Sequence, residues 1–225
     1  GDVGYYDQKA AILSEIESAI SDPEVESTGI KDALKNLYSA LADFSANADS
    51  TTHANIVQNA FKGVTHALNQ YDTKLNQIYE QEMKNFEISV NDINSKFEQI
   101  SALNKSIVDA IFMNTDYDGI NYGPNELMDQ RNVLLDELAR YGDVRVQTNE
   151  DGSIKVEFNG RTAVDADSGN YKFDQIDFSS ENLSLTWGST GGSVGLETGA
   201  LKGFMDVLTG SNPLIKGIPY YKSKL

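Results

Sequence analysis

The chain has 225 residues, 40% hydrophobic content and a formal net charge of -16, from 34 acidic and 18 basic side chains. Such acidity repels phosphate backbones and anionic lipid, which argues against nucleic-acid and membrane partners. The lack of cysteine excludes disulfide scaffolds, thiol nucleophiles and thiolate metal sites.

Residues 1–142 read as helices and form a helical rod domain. The first helix carries Leu13, Ile16 and Ile20 on one face and is expected to stop at Pro23. A second starts after Ser27 and Thr28, both good N-caps. Its seam is Ile30, Leu34, Leu37, Leu41 and Phe44, alternating steps of four and three. "SANADSTT" is a polar connection.

From Thr52 to Met113 there is no proline, and Gly63 is the single glycine. An apolar seam runs Phe61, Val64, Leu68, Tyr71, Leu75, Ile78, then Phe86, Val90, Ile93, Phe97, Ile100, Ile107 and Ile111. With no loop-forming residue, the stretch reads as one helix, roughly 90 Å long at ~1.5 Å per residue. Such a helix needs neighbours along its length, or its seam would be exposed. Between Leu75 and Phe86 the step is 11 residues, with Glu82 near the seam. An insertion of four locally unwinds a supercoil, so a straightened or bent segment is expected near Tyr79 to Met83. His53 and His66 are thirteen residues apart, too far for a shared metal on one helix face, and read as ordinary helix residues.

"NTDYDGINYGPNE" places Asn114, Asp116, Asp118 and Gly119 like the first ligands of a helix–loop–helix calcium loop. The closing glutamate, Glu126, comes one residue late, and Pro124 intrudes. The competing reading is a polar connector built by Asn, Asp and Gly turn chemistry.

The helix from about Asn125 to Tyr141 aligns Leu127, Arg131, Leu134 and Leu138 on one stripe. Arg131 is expected to be partly buried, its guanidinium on a carboxylate or carbonyl of another element. Asp129 points elsewhere and cannot pair with it within the helix. No nucleophile–base pair accompanies Asp129, Gln130 and Arg131. The triplet therefore reads as a structural joint, not a catalytic cluster.

After Gly142 the period changes to two. "VRVQT" and "IKVEF" flank a turn at Asp151-Gly152, and Asn159-Gly160 gives a second hairpin turn. "YKFDQIDFS" and "LSLTW" continue the alternation. Residues 143–198 thus read as a small antiparallel β outer domain, its apolar face expected on the end of the rod. "GSTGGSVGLETG" lacks the lysine and the strand–helix context of a phosphate loop. Residues 199–225 form a return segment packing on the rod, and "NPLIKGIPYYKSKL" reads as an arm entering a truncated helix, which suggests a fragment.

The fold class is therefore mainly α within α+β: an elongated antiparallel helical rod with one very long helix, plus a small antiparallel β domain. No catalytic residue, cofactor or metal is expected.

"NELMDQRNVLLDELARYGDVRVQTNEDGSIKVEFNG" resembles the bacterial flagellar hook-associated proteins of the FlgK type, whose pattern runs close to "NDLLDQRD-LL-ELS--V-V" and then "-DGS--V---G". "VNDINSKFEQISALNKSIVDA", "IKDALKNLYSALADFSANADS", "TGALKGFMDV" and "IKGIPYYKSKL" extend the resemblance over nearly the whole chain. Departures are Met128 for leucine, Asn132 for aspartate, and the longer "MNTDYDGINYG" loop. The resemblance implies a non-enzymatic subunit of a ring-like layer joining hook to filament. Implied partners are copies of itself, hook protein, the second junction protein and an export chaperone that binds through segments missing here. It also implies an extracellular place in the flagellum, reached by type III export without a cleavable signal. The isolated chain, lacking polymerising ends, is expected to be a monomer. The rival readings are a calcium-binding module at Asn114 to Glu126 and an adhesin-like surface protein.

Overall fold

A computed structural model describes residues 1–20, 29–114, 124–211 and 216–224. Helix α1 spans Asp2–Ile20, α2 Ile30–Ala46, α3 Thr51–Asn114 and α4 Asn125–Tyr141. Strands follow: β1 (Val144–Thr148), β2 (Ile154–Phe158), β3 (Arg161–Asp165), β4 (Lys172–Phe173), β5 (Ile176–Ser179) and β6 (Ser184–Trp187). Helices α5 (Gly199–Thr209) and α6 (Ile218–Lys222) complete the chain. The proposed stop at Pro23 and the caps Ser27 and Thr28 lie outside the described residues.

Helix α3 is a single uninterrupted element of 64 residues. Ser50 opens it by accepting from the His53 main-chain N–H, with the His53 ring Nδ1 2.8 Å from the same hydroxyl. The gap in its seam is only apparent. Glu82 is buried between Ile78 and Phe86, and Asn104 is buried between Ile100 and Ile107. Two polar residues thus occupy stripe positions where periodicity looks for apolar ones. From Ile78 through Glu82 and Phe86 to Val90 the stripe advances by fours, which is how the helix absorbs the inserted residues.

Helix α2 folds back on the first third of α3, and Gly29 at its start lies beside the Tyr71 hydroxyl. The α2 seam needs correction. Ala33, Leu37, Ala40 and Phe44 turn toward α3, whereas Leu34 and Leu41 are exposed. Alanine allows close helix approach, and the larger leucines fall one residue, or about 100°, off the contact line. Phe61 is likewise exposed, and the small Ala67 is buried nearby. On α1, Ile12 and Ile16 are the fully buried pair while Leu13 is only half-buried. The Ile20 side chain lies outside the described set.

The strands form two sheets rather than one. Strands β1-β2-β3-β4 make a four-stranded antiparallel sheet in sequence order, and β5-β6 a separate hairpin. Asn159 (φ 49°) and Gly160 (φ 81°) connect β2 to β3, the two positive φ values that a tight primed turn demands. Both sheets pack along the second half of α3, not on the end of the rod. The reason is the stripe itself: Ile93, Phe97, Ile100 and Ile107 offer far more apolar surface on the flank than a helix end could.

One continuous cluster of buried side chains joins both layers. Phe97 lies 5.5 Å from Phe158 and 6.5 Å from Trp187, ring centre to ring centre, so α3 meets β2 and β6 there. Phe86 meets Phe178 edge-on at 4.9 Å and Phe204 at 5.5 Å, bringing β5 and α5 onto the same helix. No helix among the described residues is long and apolar enough to cross a membrane.

Candidate functional site: the joint between helices and sheets

The joint is built on two asparagines of α3. Asn104 is fully buried. Its Nδ2 donates to the Ile154 carbonyl at 2.7 Å, and its Oδ1 accepts from the Ile154 N–H at 3.0 Å. One side-chain amide thus pairs with one strand residue as a neighbouring strand would, satisfying Ile154 at the start of β2, beyond the residues that pair with β3. Asn94 repeats the device ten residues earlier. It donates to the Ile176 carbonyl at 2.9 Å and accepts from its N–H at 2.8 Å. The two amides therefore fix both sheets to one helix at defined heights.

Arg131 closes the first clamp. It is 5% exposed and sits where α4 crosses α3. Its Nη1 donates to Asn104 Oδ1 at 2.9 Å and to the Gly152 carbonyl at 3.0 Å. The acceptors are thus an amide and a backbone carbonyl. Burial pushes the guanidinium pKa below its ordinary value, yet an arginine stays charged in this setting. Gly152 suits its place: its φ is +85°, and a Cβ there would sit 2.6 Å from the Ile111 side chain.

The neighbouring residues of the triplet behave differently. Asp129 and Gln130 are exposed, Leu127 and Leu134 half-buried, and Leu138 fully buried. Gln130 borders a surface groove between α3 and α4. Of the calcium-loop residues, Asp116 and Asp118 lie outside the described residues, as does the Asn114 side chain, while Glu126 is exposed in the first turn of α4.

A second polar cluster ties α3 to α4 farther along. Lys96 bonds Asp92 at 2.7 Å and Glu137 at 2.9 Å, and the Tyr141 hydroxyl donates to Asp92 at 2.9 Å. Burial works against the Lys96 ammonium, but its two carboxylate partners outweigh it and hold its pKa above the usual value. Asn94, Asn104, Arg131 and Lys96 thus each bond to a different element from their own. The arrangement offers directional main-chain bonds that set the spacing of both sheets along α3.

The family described as "Flagellar hook-associated protein FlgK helical domain" matches residues 13–216. The chain belongs to that family. The flagellar hook-associated protein 1 of Bacillus subtilis (strain 168) is 28% identical over 149 residues, covering 66% of this chain and 28% of that protein. The chain thus spans less than a third of that relative's length. The flagellar hook junction protein FlgK of Burkholderia pseudomallei has a similar fold, with a TM-score of 0.66 over 91% of this chain and 36% of that one, at 20% identity.

Within this FlgK-type helical domain, Asn94 and Asn104 are the residues that sequence reasoning missed. The available signal was the missing apolar residue between Ile100 and Ile107, at the stripe position that Asn104 fills.

Proposed function

We propose that this chain is part of a structural, non-enzymatic subunit of the bacterial flagellum that joins hook to filament. The observation that carries the reading is the family match across residues 13–216, on a chain in which Asn94, Asn104 and Arg131 tie sheets and α4 to one 64-residue helix. A stiff helix with sheets locked to its flank suits a subunit that passes torque along an axis. Copies of the chain beside one another, with hook protein and a second junction protein above and below, are the partners this role requires. Repeated side-by-side packing around an axis is a heterologous contact. The subunit would reach its extracellular position by flagellar type III export, with a chaperone engaging segments beyond this chain.

Deleting the encoding gene tests the reading. The expected result is hooks without filaments, flagellin shed into the medium, and recovery on return of the intact gene. Cells that keep their filaments after the deletion would overturn it.

A further inference from the structure

Residues 29–71 hold three lysines, Lys31, Lys35 and Lys62, and three aspartates, Asp32, Asp43 and Asp49. This stretch is neutral in a chain of net charge -16. It also carries an exposed apolar patch. Leu34 (51% exposed), Tyr38 (78%), Leu41 (42%) and Phe61 (51%) each follow by one residue a side chain turned toward the partner helix, namely Ala33, Leu37, Ala40 and Ala60. In an antiparallel pair, positions displaced in the same rotational sense face the same side. The four therefore share one flank of the α2/α3 hairpin. Lys31 borders that flank, one helical turn before Leu34. Asp32 and Asp43 each precede a partner-facing residue and fall on the opposite flank.

A complementary surface lies farther along the same molecule. The groove between α3 and α4 has a volume of about 490 Å³ and an apolar floor of Ala102, Leu103, Val133 and Leu134. Val133 is 56% exposed. Around it, Glu98, Asp109, Glu126, Asp129 and Asp136 are exposed, against the single exposed base Lys105 in the same stretches. One surface is apolar and bordered by base; the other is apolar and bordered by acid.

We propose that the Leu34–Tyr38–Leu41–Phe61 flank of one copy docks on the α3/α4 groove of a second copy, with Lys31 and Lys35 meeting its acidic rim. The contact is heterologous, so it repeats from copy to copy instead of closing a pair. Opposite charge at the rim favours this pairing over patch-on-patch contact, which brings lysines together. Four apolar side chains fall short of the ~1,200–2,000 Å² of a stable standard interface. The isolated chain is therefore monomeric at micromolar concentration, and the contact fills when concentrated copies lie displaced along the rod by roughly 60 Å, the separation of Phe61 from Leu103 on α3 at ~1.5 Å per residue. This inference rests on the junction reading above.

The cysteine-free chain permits a direct test. Single variants Tyr38→Cys and Val133→Cys, one carrying a size tag, are mixed at about millimolar concentration and mildly oxidised. Both positions are exposed, and unchanged melting of each variant confirms folding. The mixed disulfide is expected several-fold above either like-with-like product and above a control pairing of Tyr38→Cys with Glu181→Cys. Adding Lys31→Glu and Lys35→Glu is expected to cut it several-fold. Dominant Tyr38→Cys self-crosslinks, or no preference over the control, would overturn the proposal. Failure here with filament loss in the gene deletion refutes this face alone and leaves the junction role standing.

Discussion

Asn104 Oδ1 accepts simultaneously from Arg131 Nη1 at 2.9 Å and from the Ile154 main-chain N–H at 3.0 Å. One oxygen thus couples α4 to β2 through α3. Removing it takes one of two acceptors from a buried guanidinium and leaves a buried main-chain amide without its partner. Asn104→Ala and Arg131→Ala should each cost about 1–3 kcal/mol, the penalty of a buried polar group left unpaired. Because they share an interaction, the double variant should be less destabilised than the sum, by roughly 0.5–3 kcal/mol. Urea denaturation of the four proteins measures this. Strict additivity would show that the two side chains are not coupled.

The clamps at Asn94 and Asn104 act on different sheets, so their loss should be separable. Asn94→Ala is expected to speed hydrogen exchange at the Ile176 amide, which that side chain accepts from, while leaving Ile154 protected. Asn104→Ala should do the reverse. If both amides respond equally to either substitution, the sheets open as one unit and the local account is wrong.

Glu82 stands in the seam, 4% exposed. Burial raises its pKa above 4.5, an Asn85 hydrogen bond offsets part of this, and Glu15 adds to the rise. The folded state then binds this proton more tightly than the unfolded chain. Stability from Glu82 is complete below about pH 4.5 and falls as pH rises through the folded value. Glu82→Gln should therefore raise the melting temperature at pH 7, by ~2–4 °C if the gain is about 1 kcal/mol. The gain should shrink toward pH 4. An equal gain at both pH values would mean that the charge is not the cause.

Phe86 joins α3 to β5 and α5 through Phe178 and Phe204. Phe86→Ala should cost about 3–5 kcal/mol, the usual loss for a fully buried ring. Phe61→Ala, on the same helix but half exposed, should change stability by less than about 0.5 kcal/mol. Thermal melts of the pair would expose an error in this division if the two losses were similar.

The sequence by itself determined the elements of this protein. Phe97, Ile100 and Ile107 keep a helical period with no breaking residue, so α3 could only be long; Asn159-Gly160 needs positive φ, so a hairpin had to turn there. Arg131 stood out because a charge in a leucine stripe must find a partner. Local periodicity carries such information because it depends on backbone geometry over a few residues. Tertiary structure alone decided which polar group answers Arg131, why Asn104 belongs in an apolar seam, and that two sheets lie along α3 rather than at its end. It also decided that Ala33 and Ala40, not Leu34 and Leu41, face α3. Those outcomes depend on groups 27 and 50 residues apart, brought together by packing. No period along the chain records which distant carbonyl will arrive beside a given amide.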